Sequence, residues 1–197
     1  MIYTFKGHQN LSNTYLICRY DECFLIDPSH AYEEIMQKLA GKKLLGIILT
    51  HAHADHFLII DQFNVAVYIH TLDYDLLFMP RYNGLNNQQP INLSQIIPQR
   101  LNNNDKIKIA DQFFKIIHTP GHTKGSICIE YGNAIFTGDL IFKNGVGRSD
   151  LYSGSTLALN KSIKLILSHS ANIKLYPGHD DITTIKEERK NLNYKKQ

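Results

Sequence analysis

Residues 44–56 read LLGIILTHAHADH and contain the most abrupt change of chemistry in the chain. The six residues from Leu44 to Leu49 form a continuous apolar run, which is too short for a helix and is typical of a buried strand. A polar segment, Thr50-His51-Ala52-His53-Ala54-Asp55-His56, follows it without a break. Since functional side chains usually lie where a rigid strand ends, this segment is the first candidate site.

The spacing within this segment favours metal binding. His51 and His53 are two residues apart, so on extended backbone their side chains point the same way and can share one ion. Asp55 and His56 come at the following turn and can face a second ion. Imidazole and carboxylate ligands without a thiolate suit zinc, with iron or manganese as alternatives. The expected cofactor is therefore a pair of divalent metal ions, and zinc is the metal that we expect before iron or manganese.

Three later segments supply the missing ligands, and each follows a predicted strand. They are Thr119-Pro120-Gly121-His122, Thr137-Gly138-Asp139 and Pro177-Gly178-His179. A glycine before each candidate ligand lets the backbone turn sharply and approach an ion closely. A single histidine of this kind is more often structural than a ligand, but the joint occurrence favours a metal site. The predicted ligands are His51, His53, Asp55, His56, His122, Asp139 and His179.

The remaining histidines lack such a context. We expect them to be structural. His118 is also a candidate for a hydrogen bond that orients a metal ligand. They are His8, His30, His70, His118 and His169.

Hydrophobic periodicity outlines the rest of the fold. Strands are predicted at 12–18, 23–26, 44–49, 65–69, 113–117, 126–131, 134–137 and 173–176, and helices at 31–40, 73–78, 155–168 and 183–192. The stretch 79–104 is irregular, and we interpret it as a substrate loop or as surface decoration. Two strand-rich halves with flanking helices indicate a single α+β domain over residues 1–197, with stacked sheets covered by helices.

Composition limits the classes of partner. The chain has 197 residues, a net charge of +3 and scattered basic residues, which argues against a dedicated nucleic-acid binder. No secretory signal and no apolar stretch of about 18 residues is found, so we expect no membrane partner. The three cysteines, Cys18, Cys23 and Cys128, are odd in number and lack CxxC spacing. We therefore expect reduced thiols and a cytoplasmic location. The oligomeric state is not encoded in any visible pattern.

The combined motifs resemble the metallo-β-lactamase superfamily from Asn13 to about Asn193. The resemblance is closer to the glyoxalase II (hydroxyacylglutathione hydrolase) branch, in its short form, than to the antibiotic-hydrolysing branch, which has arginine in place of His56. It implies an αββα sandwich with the metal site at one edge of the sheets. It also implies the ligand division: His51, His53 and His122 on the first ion, Asp55, His56 and His179 on the second, and Asp139 bridging both.

The segment Gly147-Arg148-Ser149-Asp150 resembles the GRxD element of short glyoxalase II-like proteins. This implies a substrate-binding role for Arg148, against the alternative of a structural ion pair with Asp150. Tyr152 is a candidate for lining the pocket, with packing as its alternative. The implied activity is hydrolysis of a small-molecule thioester, such as S-D-lactoylglutathione, or of a related ester. Metal-activated hydroxide would attack, and Asp55 would orient it.

Other functions fit parts of the pattern. A persulfide dioxygenase would use one iron, held by His51, His122 and Asp139. A lactonase, an RNA-processing phosphodiesterase and a non-catalytic binding protein are weaker alternatives.

Overall fold

The computed structural model describes residues 1–85 and 91–193. In the first half of the chain, short apolar runs separated by turns form one sheet. Its strands are β1 (Ile2–Phe5), β2 (Thr14–Arg19), β3 (Glu22–Ile26), β4 (Lys43–Ile48), β5 (Ala66–His70) and β6 (Gln99–Leu101), with helices α1 (Tyr32–Leu39) and α2 (Pro80–Asn83) between them. The strands lie in sequence order, antiparallel from β1 to β3 and parallel from β3 to β6.

The second half of the chain forms the other sheet. Its elements are β7 (Lys106–Ile109), β8 (Gln112–His118), β9 (Ile127–Tyr131), β10 (Ala134–Gly138), β11 (Ile141–Phe142), β12 (Gly145–Val146), α3 (Thr156–Leu167), β13 (Lys174–Pro177), β14 (Thr183–Thr184) and α4 (Ile185–Asn191). The sheet order is β14-β13-β10-β9-β8-β7, while β11 and β12 pair separately. Across residues 1–85 and 91–193, no helix has both the length and the apolarity to cross a membrane.

Alternating side chains build three apolar layers. On β2, Tyr15 and Ile17 face the second sheet, while Leu16 between them faces the helix α1. Phe114 and Phe136 meet them from the second sheet. A third layer packs α3 and α4 onto the outer face of that sheet. Each fully buried side chain of this size contributes roughly 1.5–3 kcal/mol by leaving water. The predicted αββα sandwich is confirmed.

Three local predictions need correction. After β5, five strands were not predicted: β6, β11, β12 and β14 have only two or three residues, and β7 reads Lys-Ile-Lys-Ile beside an irregular stretch. The helix predicted at 73–78 is two 3-10 turns, Thr71–Asp73 and Leu76–Phe78. The stretch 79–104 is less irregular than expected, since it contains α2, a 3-10 turn and β6; its residues 86–90 lie outside the described part.

The expectation of fully reduced thiols is wrong. Cys18 and Cys23 form a disulfide, and Cys128 is the free, buried cysteine. The hairpin between β2 and β3 places Cys18 directly opposite Cys23, with 4.2 Å between their Cα atoms. An odd number of cysteines excludes only complete pairing, and the C-x4-C spacing joins the ends of the two predicted strands 12–18 and 23–26. Burial raises the pKa of the Cys128 thiol to about 12.

Reducing this disulfide should have a small effect on stability. The two cysteines are five positions apart, so the closed loop is short and restricts the unfolded chain little. We expect reduction to lower the free energy of unfolding by about 2 kcal/mol. Urea denaturation with and without reductant measures the change, and the double variant Cys18→Ala/Cys23→Ala is the control, since reductant should not affect it. A loss of cooperative folding on reduction would contradict this expectation.

Candidate metal centre

The predicted ligand segments meet at one edge of the sandwich because their strands point the same way. β9 is antiparallel to both β8 and β10, and β13 is parallel to β10. The carboxyl ends of β8, β10 and β13 therefore lie together. The segment after β4 joins them from the other sheet, where Ile127 N donates to the Thr50 carbonyl (2.9 Å).

The first cluster consists of His51, His53 and His122. One ring nitrogen of each lies within 4.8 Å of the others, and all three side chains are buried. His53 Nδ1 and His122 Nε2 are 2.8 Å apart. This is the set that the resemblance implies for the first ion.

The second cluster consists of Asp55, His56 and His179, whose nearest ligand atoms also lie within 4.8 Å of one another. His179 Nε2 is 3.2 Å from Asp55 Oδ2, and His56 Nε2 is 3.7 Å from the same oxygen. The side chain of Asp55 is 34% exposed, whereas that of His56 is fully buried. Asp55 is thus the member of this cluster that is most open to solvent.

Asp139 faces both clusters. Its Oδ2 lies 3.5 Å from His122 Nε2 in the first cluster. Its Oδ1 lies 3.2 Å from His56 Nε2 and 3.7 Å from His179 Nε2 in the second. The seven predicted ligands therefore lie together, and His51, His56 and Asp139 form a third group within the same 4.8 Å limit. The division of the seven between two ions stays what the resemblance implies. That they hold two ions stays a prediction.

Unpaired polar atoms make this site suitable for metal. Within the described residues, His51 Nε2, His53 Nε2, His56 Nε2 and Asp139 Oδ1 are buried and make no hydrogen bond of normal geometry. Leaving a buried polar atom unpaired costs about 1–3 kcal/mol, so a concentration of them calls for a partner. Nitrogen and carboxylate donors that converge in this way fit a divalent cation.

The electrostatics of the first cluster and of Asp139 favour the same occupant, whereas the carboxylates around His56 and His179 outweigh burial and raise the pKa of both imidazoles. Burial, reinforced by neighbouring imidazoles, lowers the pKa of His53 to about 4 and that of His51 well below its usual value. Burial opposes the ionisation of Asp139, but the imidazoles around it, His56 first, hold its pKa below its usual range. Neutral imidazole and ionised carboxylate are the forms that bind metal.

A buried carboxylate that the sequence analysis missed, Asp27, orients one histidine of each cluster. Asp27 Oδ2 accepts from His56 Nδ1 (2.8 Å) and from Thr50 Oγ1 (2.6 Å), and Oδ1 accepts from Thr50 N (2.8 Å). Since Thr50 donates its only hydroxyl proton to Asp27, the contact of 3.1 Å with His51 Nδ1 makes His51 the donor. Both rings therefore carry their proton on Nδ1 and leave Nε2 for an ion.

Two further contacts hold the first cluster. His122 Nδ1 donates to the carbonyl oxygen of Arg148 (2.7 Å), so Nε2 carries no proton and its lone pair faces the cluster, where it lies 2.8 Å from His53 Nδ1. Asp73, fully buried, accepts from Ala52 N, from Thr123 Oγ1 and from Gly125 N at 2.6–3.1 Å. It thereby ties the histidine segment to the loop that carries His122. No local pattern marks Asp73 as functional, because its partners Ala52, Thr123 and Gly125 are distant in sequence.

Position 178 requires glycine because its backbone lies very close to the side chains of Asp139 and His56. A Cβ at this position would lie 2.3 Å from Asp139 Oδ1 and 2.7 Å from the Cε1 atom of His56. Any side chain at this position would therefore push a candidate ligand aside.

We expect Gly178→Ala to weaken metal binding by about tenfold or more, because ligand displacement of a fraction of an ångström has effects of this order. Competition with a chromogenic chelator measures the affinity. Gly145→Ala is the matched control, since a Cβ there meets no atom within 4 Å. Equal affinity in the two variants would refute the close-approach argument.

A cavity of about 690 Å³ opens onto both clusters and includes Arg148 among its lining residues. The guanidinium of Arg148 is paired bidentately with Asp150, at 2.8 Å for both contacts, so the alternative of a structural ion pair is the one observed. Tyr152 is not among the described residues that line the cavity, but its ring stacks on the lining residue Tyr82 (centroids 4.2 Å apart). Their substrate roles stay predictions.

His118 is not in either cluster. Its ring stacks on His70, with centroids 4.1 Å apart, and its Nε2 lies 2.8 Å from the Lys124 carbonyl.

Known proteins share this sequence pattern. Residues 9–182 match the profile of the metallo-beta-lactamase superfamily. A probable metallo-hydrolase of Methanocaldococcus jannaschii is 36% identical over 202 residues, covering 92% of this chain and 94% of the relative. A probable metallo-hydrolase of Bacillus subtilis is 28% identical over 188 residues, covering 90% and 89%.

Solved structures share the fold. The B3 metallo-beta-lactamase BLEG-1 superposes with a TM-score of 0.88 at 30% identity over 100% of both chains. The protein TTHA1623, crystallised in a di-iron-bound form, gives a TM-score of 0.78 at 27% identity over 96% of this chain and 98% of its own. Sequence profile, fold and clustered ligands agree, and the chain belongs to the metallo-β-lactamase superfamily.

Proposed function

We propose that this protein is a metal-dependent hydrolase that cleaves a small thioester, in the manner of glyoxalase II. The observation that carries the proposal is Asp139, whose two oxygens face the two clusters beneath an open cavity. Two relatives named probable metallo-hydrolases support the reaction type. The GRxD-like segment at 147–150 supports the thioester, on resemblance.

The seven clustered side chains would hold two divalent ions, which supply Lewis acidity and an activated water when bound. The chain's own residues do the rest. Asp27 and the Arg148 carbonyl hold His56 and His122 in one tautomer each. Asp55, partly exposed beside the cavity, can accept a hydrogen bond from the attacking water and orient it.

The leaving group explains why a thioester suits this site. A thiolate leaves without strong protonation, whereas an alkoxide or amine leaving group demands a general acid. The two carboxylates of the ligand set, Asp55 and Asp139, have pKa values below their usual range because neighbouring histidines lower them, despite the opposing effect of burial. Neither is therefore suited to donate a proton to a poor leaving group.

The complete second cluster argues against the persulfide dioxygenase. One iron on His51, His122 and Asp139 would leave the clustered ligand atoms of Asp55, His56 and His179 without an ion to bind. A second candidate is β-lactam hydrolysis, which is favoured by the high structural similarity to a B3 metallo-beta-lactamase.

A substrate panel tests these functions. The protein is loaded separately with zinc, iron or manganese and offered S-D-lactoylglutathione, a simple acyl thioester, a lactone, a chromogenic β-lactam and glutathione persulfide with oxygen. We expect thioester hydrolysis that is lost in His53→Ala and kept in His169→Gln, a histidine outside both clusters. Turnover of the β-lactam alone, or oxygen uptake with the persulfide, would overturn the proposal.

A further inference from the structure

One wall of the cavity comes from the segment 81–84, which belongs to the stretch 79–104 that the sequence indicates as a substrate loop or a surface loop. Arg81, Tyr82, Asn83 and Gly84 line the same space as the ligands His53, Asp55 and His179. A cationic side chain therefore faces the space in which a substrate would meet the metal centre.

Arg81 and Arg148 both line this cavity, but only one guanidinium is available. Arg148 is engaged by both oxygens of Asp150. Arg81 has no carboxylate partner among residues 1–85 and 91–193, and its guanidinium carbon lies 5.6 Å from the centroid of the Tyr82 ring. An arginine that is not already paired can make a bidentate, charge-assisted contact with an incoming carboxylate.

The backbone that carries Arg81 is anchored. Asn83 is buried, and its side-chain amide donates to the carbonyls of Leu76 (3.1 Å) and Leu77 (2.9 Å). Tyr82 stacks on Tyr152 from the loop that follows Arg148. The anchored backbone restricts the region that the Arg81 guanidinium can reach, which is what discrimination between substrates requires.

We propose that Arg81 is a specificity-determining residue that binds a carboxylate on the substrate. The substrate class is then a small thioester with an anionic end, and this step rests on the proposed function. The Arg148 guanidinium is already paired with Asp150, and the Arg148 carbonyl accepts a hydrogen bond from His122 Nδ1.

Binding of two non-hydrolysable thioethers to the metal-loaded protein tests this inference. The thioethers differ only at one end, which is a carboxylate in one and the neutral amide in the other. Calorimetry on wild type, Arg81→Gln, Arg81→Lys and Arg100→Gln gives the ratio of the two affinities. Arg100 is the matched control, because it is exposed, lies over the ring of Tyr74 (3.8 Å) and is not among the lining residues.

We expect Arg81→Gln to reduce the preference for the carboxylate by about tenfold, which is typical of losing one charge-assisted contact. Arg81→Lys should keep part of it and Arg100→Gln all of it. An unchanged preference in Arg81→Gln, or an equal loss in Arg100→Gln, would overturn the inference. If the preference depends on Arg81 but the wild type hydrolyses no thioester, the inference stands and the proposed hydrolase function fails.

Discussion

Replacing Asp139 by alanine is expected to lower kcat/KM for the thioester by about a thousandfold or more, since the Lewis acidity supplied by a metal centre is worth several kcal/mol. The reason lies in its position. Asp139 Oδ1 faces His56 and His179, and Oδ2 faces His122, so this one substitution removes a donor from both clusters. Alanine also leaves buried imidazoles facing one another with no carboxylate between them.

Steady-state kinetics and metal analysis on the same preparation measure this effect. We expect the metal content to fall together with the activity. Asp111→Ala is the control, because Asp111 is an exposed aspartate whose ion pair with Arg19 lies on the surface. Circular dichroism establishes that both variants fold. An Asp139→Ala protein with full metal content, or with activity within about tenfold of wild type, would contradict the bridging role.

Asp27→Asn is expected to weaken metal binding by about 10–100-fold, which is the usual effect of losing a group that orients metal ligands. The carboxylate accepts three hydrogen bonds in the native structure, from Thr50 N, Thr50 Oγ1 and His56 Nδ1. An amide of the same shape has only one accepting atom, so its NH2 group faces at least one donor. The His56 ring then loses its fixed tautomer, and the effect reaches His51 through Thr50.

Zinc competition titrations on wild type and Asp27→Asn measure this loss. Asp105→Asn is the control, since Asp105 also accepts a backbone N–H, from Asn102, but lies in a turn away from both clusters. An affinity for Asp27→Asn within about threefold of wild type would show that the tautomers are set by something else.

The ligands could be predicted from the sequence because each one follows a strand and a turn that are visible locally. The run 44–49 marks a buried strand, and the Pro-Gly pairs at 120–121 and 177–178 mark the turns that present His122 and His179. The division of the ligands between two ions followed from the resemblance and stays a prediction.

The residues that hydrogen-bond to the ligands and orient them could not be predicted in this way. Asp27 is followed by Pro28 and looked like the end of a strand, while its partners are Thr50 and His56, more than 20 positions away. No periodicity marks a contact between segments of different strands. For the same reason Arg81, in a stretch without a regular pattern, gave no signal until the cavity was visible.

The prediction of fully reduced cysteines was wrong because it relied on their odd number. The predicted strands 12–18 and 23–26 leave only residues 19–22 between Cys18 and Cys23, and antiparallel strands joined by so short a connection bring the flanking residues face to face. The position of Cys18 opposite Cys23 decides the pairing, whatever the total number of cysteines.

The proposed hydrolysis depends on two adjacent ions, held in separate clusters that Asp139 joins. The most direct measurement is the number of metal ions per chain, by elemental mass spectrometry, in wild type, in His122→Ala and in His179→Ala. We expect about two ions in wild type and about one in each variant, because Asp139 can still serve the remaining cluster in both. A single iron in wild type that His179→Ala leaves unchanged would contradict it.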